Sequence, residues 1–224
     1  MRVTVAPPTR GFLSHTTRER ELIAHRILCR AVRSIVAARI AIATVFATHV
    51  LAVAVGIVAA TSGNALAVEQ RDAVVGASRS SAITIADRSG DHVQAALLDA
   101  GSNLVAGASS TVVGISVVGV YPLVAYRGWI GGIVVLDATH ESRLNDPVSA
   151  LYYLVTILLQ LIPYSISGGL GVRLGVGAWR QIRSPSGNEW LGLPRDRLID
   201  ALCGYAVIAP LFLVASLFEF LVRV

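Results

Sequence analysis

VSALYYLVTILLQLIPYSISGGLGVRLGVGAW, residues 148–179, is the stretch on which the reading of this chain turns. As one helix it would be about 48 Å long at a rise of about 1.5 Å per residue, against a bilayer hydrocarbon core of about 30 Å. Pro163 stands at its middle, where a proline removes an N–H donor and clashes with the carbonyl one turn back. Small residues follow at once: Ser167, Gly168, Gly169, Gly171, Gly175 and Gly177. Two arrangements satisfy these facts, a single tilted and kinked helix or a tight hairpin of two short helices. The following segment, 180–200, carries Arg180, Arg183, Arg195 and Arg197 against Glu189, Asp196 and Asp200. If that segment is cytoplasmic, residues 148–179 must cross twice or re-enter, and the hairpin is preferred.

The composition around this stretch names lipid as the main solvent. The 224 residues are 54% hydrophobic and 15% charged, where a soluble domain carries about 25% charged residues, and the mean hydropathy is +0.65. Disorder over most of the chain is excluded, since it requires low hydrophobicity and high net charge. A disulfide scaffold is excluded because Cys29 and Cys203 are the only cysteines. All 19 basic residues are arginine, as a GC-rich coding bias would produce. They flank apolar runs, the pattern of membrane topology signals, and so speak against a nucleic-acid partner despite the net charge of +5.

Outward from the central stretch, 201–222 is a further apolar span containing Cys203, Pro210 and Glu219. On the N-terminal side, 104–126 is read as a span rich in Gly, Ser and Val. It is followed by RGWIGGIVVLD, which is too short to cross alone, and by a polar loop over 137–147. Residues 62–100 hold three Arg against five acids, as expected outside the cytoplasm, with short amphipathic helices around Ile83–Ile85 and Val93–Leu98. Residues 40–61 are long enough to span and form the first transmembrane helix. Before it stand eight arginines against Glu19 and Glu21, which places the N-terminus inside. Within residues 1–39 a loose tail precedes a basic amphipathic helix that starts at Thr16, whose spacing to Glu19 suits a capping box. That helix suits either an anionic membrane surface or the protein's own cytoplasmic side.

Few groups invite chemistry. Gly171-Val172-Arg173-Leu174-Gly175 has GxxxG spacing, one turn after Ser167, and small residues so spaced let helix backbones meet in lipid. Ser167, Gly168, Gly171 and Gly175 are therefore the expected packing or interaction residues. Arg173 lies inside the run and Glu219 inside the last span; a charge at membrane depth is costly and is paired or reaches the interface, so an Arg173–Glu219 pair is one candidate. His49, central in the first span, is expected to hydrogen-bond Thr44 or Thr48. No HExxH, CxxC or pair of membrane-embedded acids is present, so no catalytic, metal or cofactor site is expected.

The second half, about residues 99–222, resembles the stage II sporulation protein M family of integral membrane proteins. The matching pieces are Asn103, Gly114 and Gly119; Arg127-Gly128 where the family has Asn-Gly; Ile162-Pro163-Tyr164; Gly168 to Gly175; Arg195 and Arg197 in an Arg-containing loop; and Phe218-Glu219. The family's His-Gly after the proline and the Glu that follows are replaced here by Tyr164-Ser165 and Ser167-Gly168. The resemblance implies a multi-pass, non-enzymatic membrane partner, since the family's namesake anchors cell-wall-remodelling proteins during engulfment.

The expected protein is all-α and polytopic, with four to five transmembrane helices, one a Pro/Gly-broken hairpin. Its parts are a cytoplasmic tail and basic helix (1–39), a first span (40–61), an extracytoplasmic segment (62–100) and a helical membrane domain (101–224). It lies in the inner (plasma) membrane with the N-terminus cytoplasmic. Its expected role is a scaffold or accessory subunit for other membrane proteins in the bilayer, as a homo- or hetero-oligomer. The alternative is a transporter or permease component with a site near Pro163, lined by Gln160, Tyr164, Ser165 or Ser167, since interrupted spans mark transport sites.

Overall fold

The computed structural model describes residues 11–137, 139–183, 189–190 and 192–222. The tail expected over 1–15 falls outside it as far as Arg10, as do residues 184–188 of the expected cytoplasmic loop. Eight α-helices account for nearly all of the rest: α1 (Gly11–Ala37), α2 (Arg39–Thr61), α3 (Ala65–Ser78), α4 (Ala82–Arg88), α5 (His92–Gly114), α6 (Val120–Ile133), α7 (Pro147–Arg183) and α8 (Arg195–Leu221). A two-residue antiparallel ladder, Glu189–Trp190 with Leu193–Pro194, precedes α8. Among the described residues three helices, α2, α7 and α8, are long and apolar enough to cross a membrane.

Residues 148–179 are not a hairpin. They lie in one continuous 37-residue helix that runs through Pro163. Proline frees the carbonyl one turn back but does not forbid a helix packed on all sides, and Pro163 is wholly buried. The glycines stay helical because other helices occupy the space their side chains would fill. A Cβ added at Gly171 would strike the Thr111 carbonyl of α5, and one at Gly175 the Ile115 carbonyl. One at Gly168 would sit 3.0 Å from Val120 and 3.2 Å from Val45.

The reversal lies instead inside the span expected over 104–126. That stretch is two helices, α5 and α6, separated by a turn at Ile115–Gly119 in which Val117 takes φ +65°. Helix directions follow from which residues touch. Gly107 meets Ser167, Thr111 meets Gly171 and Ile115 meets Gly175, so α5 and α7 run parallel. Val120 meets Gly168 while Tyr153 bonds the carbonyls of Gly131 and Gly132, so α6 runs antiparallel to α7. The residues from Ile115 to Gly119 carry no proline or paired polar turn residue, which hid the break.

A second seam joins α2 to α6, also in parallel. A Cβ at Gly128 would lie 2.7 Å from the His49 carbonyl, and one at Gly56 would lie 2.5 Å from the Trp129 carbonyl. One at Gly132 would overlap the Val53 carbonyl and sit 2.8 Å from Gly56 Cα. Gly128 and Gly132 again have the GxxxG spacing, in the segment read as too short to span. In lipid, apolar side chains gain nothing by leaving their solvent, so close backbone approach and dispersion must hold helices together.

Helices α3, α4 and α5 each start on a side-chain cap. Asn64 accepts from the Ala67 amide, Ser81 from Thr84 and Asp91 from Gln94, satisfying otherwise orphaned N–H groups. Gly63 and Gly90 supply the positive φ angles that end α2 and α4.

Gly132→Ala and Gly131→Ala test the α2–α6 seam as a pair. The first forces two backbones apart and is expected to cost about 1–3 kcal/mol. The second meets only Val53 at 3.9 Å and is expected to be neutral or slightly stabilising. Thermal unfolding of the two variants in one detergent compares them directly.

Candidate functional site

Three polar groupings lie along the bundle, at its arginine-rich end, its middle and its far end. At the arginine-rich end, Arg173 donates to Asp200 Oδ2 at 3.1 Å and to Ser34 Oγ at 3.2 Å, while Arg30 Nε donates to Asp200 Oδ1 at 2.7 Å. One carboxylate on α8 thus ties α1 to α7. Arg197 lies in the first turn of α8, not in a loop, and donates to the Arg173 carbonyl at 3.1 Å. The candidate pair Arg173–Glu219 is not formed. Helices α7 and α8 run antiparallel, so Asp200 faces Arg173, and Glu219 lies about 28 Å further along α8.

In the middle, Asp99 on α5 accepts from Asn103 Nδ2 and from Ser216 Oγ on α8, each at 2.7 Å. Asn103 Oδ1 accepts the Tyr164 hydroxyl at 2.6 Å. The Tyr164 ring packs edge-on against Phe212 with centroids 4.8 Å apart, and the Arg127 guanidinium lies 5.2 Å from its centroid. Arg127 donates to Ser110 Oγ at 2.7 Å, to the Ala106 carbonyl at 2.9 Å and to Ser109 Oγ at 3.1 Å. An acid and an arginine inside the bundle are thereby linked through neutral groups rather than by direct contact. His49, 2% exposed, faces Ser165 Oγ at 3.4 Å. Thr44 and Thr48 donate instead to the carbonyls of Ala41 and Thr44. On a helix these hydroxyls reach the preceding turn, which leaves His49 to α7. Asp99 falls in the 62–100 segment expected outside the membrane and Arg127 just past the span expected over 104–126; the i, i+4 spacing of Asp99 and Asn103 is the sequence signal for this grouping.

At the far end, Glu219 accepts from Gln160 Nε2 at 2.5 Å. A cavity of about 560 Å³ opens there, its walls including Arg143, Tyr152, Thr156, Gln160 and Glu219. The Thr156 hydroxyl is buried and has no hydrogen-bond partner among the described residues. Of the four residues expected to line a transport site, Gln160 reaches this cavity. Tyr164, Ser165 and Ser167 do not line it and are engaged with Asn103, His49 and the Pro163 carbonyl.

The expected packing residues meet three neighbouring helices. Gly171 and Gly175 lie on α5, and Gly168 lies on α2 and α6. Ser167 accepts Thr111 Oγ1 at its carbonyl at 3.0 Å, and Thr111 is also 2.7 Å from the Tyr205 hydroxyl. Among the described residues no group of three or more His, Cys, Asp or Glu is placed to hold a metal ion.

Beyond the span ends, Arg71 of α3 is buried. It bonds the carbonyls of Leu136 and Asp137 and donates to Asp72 at 2.7 Å. Asp72 also lies 3.0 Å from His140 Nε2. The Arg71 hydrogen bond, followed by that of His140, holds the Asp72 carboxyl below the usual carboxylate range. A depressed carboxylate pKa contributes stability above its unfolded value and loses it as pH falls through the folded value. Asp72→Asn is therefore expected to lower thermal stability slightly at neutral pH. The difference from the parent should fade below about pH 4, as thermal unfolding across that range would record.

Comparison of the chain with protein-family models, with curated proteins and with solved structures finds no match.

Proposed function

We propose that the chain is a five-crossing membrane protein of the inner (plasma) membrane that acts as a scaffold or accessory subunit for other membrane proteins. The crossings are α2, α5, α6, α7 and α8, with the arginine-rich end cytoplasmic. Support for the count comes from the α5–α6 reversal, which turns the chain back so that α5 runs parallel to α7 and α6 antiparallel to it. Support for the orientation comes from the arginines that precede α2 and the outer location this gives α3 and α4.

The observation that carries the scaffold reading is α1. It joins α8 from Arg30 onward, and N-terminal to that point Leu22, Ile23, Ile27 and Leu28 are exposed. Apolar side chains presented beyond the bundle mark an interaction surface. The intramembrane polar groups, by contrast, bond to one another across α5, α6, α7 and α8, as the supports of a rigid body would. The resemblance of residues 99–222 to the stage II sporulation protein M family points the same way. A permease component is the second reading, favoured by the cavity at Glu219.

Two experiments test this. Cysteines placed at Asn145, Val118 and Ile182 in a Cys29→Ser/Cys203→Ser background should label differently. Asn145 is expected to react from outside, and the other two only after permeabilisation; labelling of Val118 from outside would remove the α5 and α6 crossings. Separately, a mild-detergent pull-down should recover partner chains in fixed stoichiometry, with recovery falling at least about fivefold for Leu22→Asn/Ile27→Asn. Recovery of the chain alone and monomeric would overturn the scaffold reading, and solute-dependent thermal stabilisation of that monomer would favour the permease.

A further inference from the structure

The cytoplasmic end of α7 holds a cleft that the scaffold role does not use. It encloses about 520 Å³ between α2, α7 and the start of α6, with Arg197 of α8 closing one side. Arg173 and Arg180 are seven residues apart on α7 and so share a face. With Arg197 they bring three guanidinium groups to the cleft. Asp200, the acid beside them, is already shared between Arg30 and Arg173. Arg180 and Arg197 form no ion pair among the described residues, so the cleft carries uncompensated positive charge.

Two features show that the cleft is built. A Cβ at Gly177 would lie 2.5 Å from Arg197 Cδ and 2.8 Å from its Nη1, so the glycine is what lets this guanidinium lie flat on α7. The walls beside the arginines are apolar, Ile40 and Val176 among them, and Ile40 is 74% exposed on the lipid-facing side of α2. Thr44 and Tyr121 close the inner end with hydroxyls 3.0 Å apart. A charged mouth with an apolar wall running out to lipid suits a headgroup phosphate with its acyl chain along the helix. Basic pockets between helices on the cytoplasmic side bind such headgroups, and guanidinium forks match phosphate oxygens.

We propose that this cleft binds a phosphate group, with the apolar wall selecting one carried by an anionic phospholipid of the inner leaflet. The experiment uses the full chain in phosphatidylcholine nanodiscs with phosphatidylglycerol added in one arm and inorganic phosphate in the other. Native mass spectrometry counts retained lipid, and thermal unfolding reports stabilisation. Phosphatidylglycerol is expected to be retained in preference to phosphatidylcholine and to raise the unfolding temperature. Arg180→Gln/Arg197→Gln should weaken this at least about tenfold, the scale of one lost charged hydrogen bond. Arg180→Gln alone, at an exposed residue without an ion pair, keeps the fold and should show part of the loss. Arg183→Gln, whose guanidinium stacks 4.9 Å from the Trp179 centroid, should show none. Equal stabilisation by inorganic phosphate, abolished by the same variants, would keep the phosphate site and make free phosphate its source. Equal retention of the two lipids with no phosphate effect, or binding unchanged in the double variant, would overturn the proposal. The lipid readout is independent of the pull-down, so either proposal can fail alone.

Discussion

Backbone-to-backbone contact at glycine is the constraint on which this fold depends. In water a helix bundle is held by burying apolar side chains. In lipid that driving force between helices is absent, and what remains is close packing and interhelical hydrogen bonding. The chain answers with two parallel helix pairs, α2 with α6 and α5 with α7. In each, the helices approach until one backbone lies against another. Around these seams α7 is the shared element, touching α2 and α6 through Gly168 and α5 through Gly171 and Gly175. The hydrogen bonds are secondary but consistent. Tyr153, Tyr164 and Gln160 each reach across from α7 to another helix.

The same seams explain which parts of the fold were legible beforehand. Helix α2 was readable to within a residue because a long apolar run between an arginine-rich segment and an acidic one has one interpretation. Helix α7 was not. A run of glycines looks the same whether the chain turns there or a neighbouring helix fills the space, and only the neighbour distinguishes the cases. The converse error follows from the same cause. The true reversal, at Ile115–Gly119, lacks proline and has Ser116 as its one polar turn residue, and α6 is short. Charge alternation favours a reversal in this half of the chain but does not say where, and the structure has it at Ile115–Gly119.

The polar groups divide similarly. Arg173 and Glu219 stood out because each is a charge within an apolar run, but their partners depend on helix direction, which composition does not carry. Asp99 and Arg127 were hidden by position, since a charge near the end of a span reads as an interface residue. Antiparallel packing of α5 against α6 brings Arg127 back to Ser110, and tertiary contact alone makes it an interior group.

Helix α7 also has a mechanical property. At 37 residues it is about 55 Å long, well beyond the thickness of a hydrocarbon core. Its length joins the Pro147 end, beside the cavity that holds Glu219, to the Arg173–Arg183 end, beside the arginine cleft. Because α7 is held along its length, through Tyr153, the glycine seams and Arg173, it joins these two ends as a single strut.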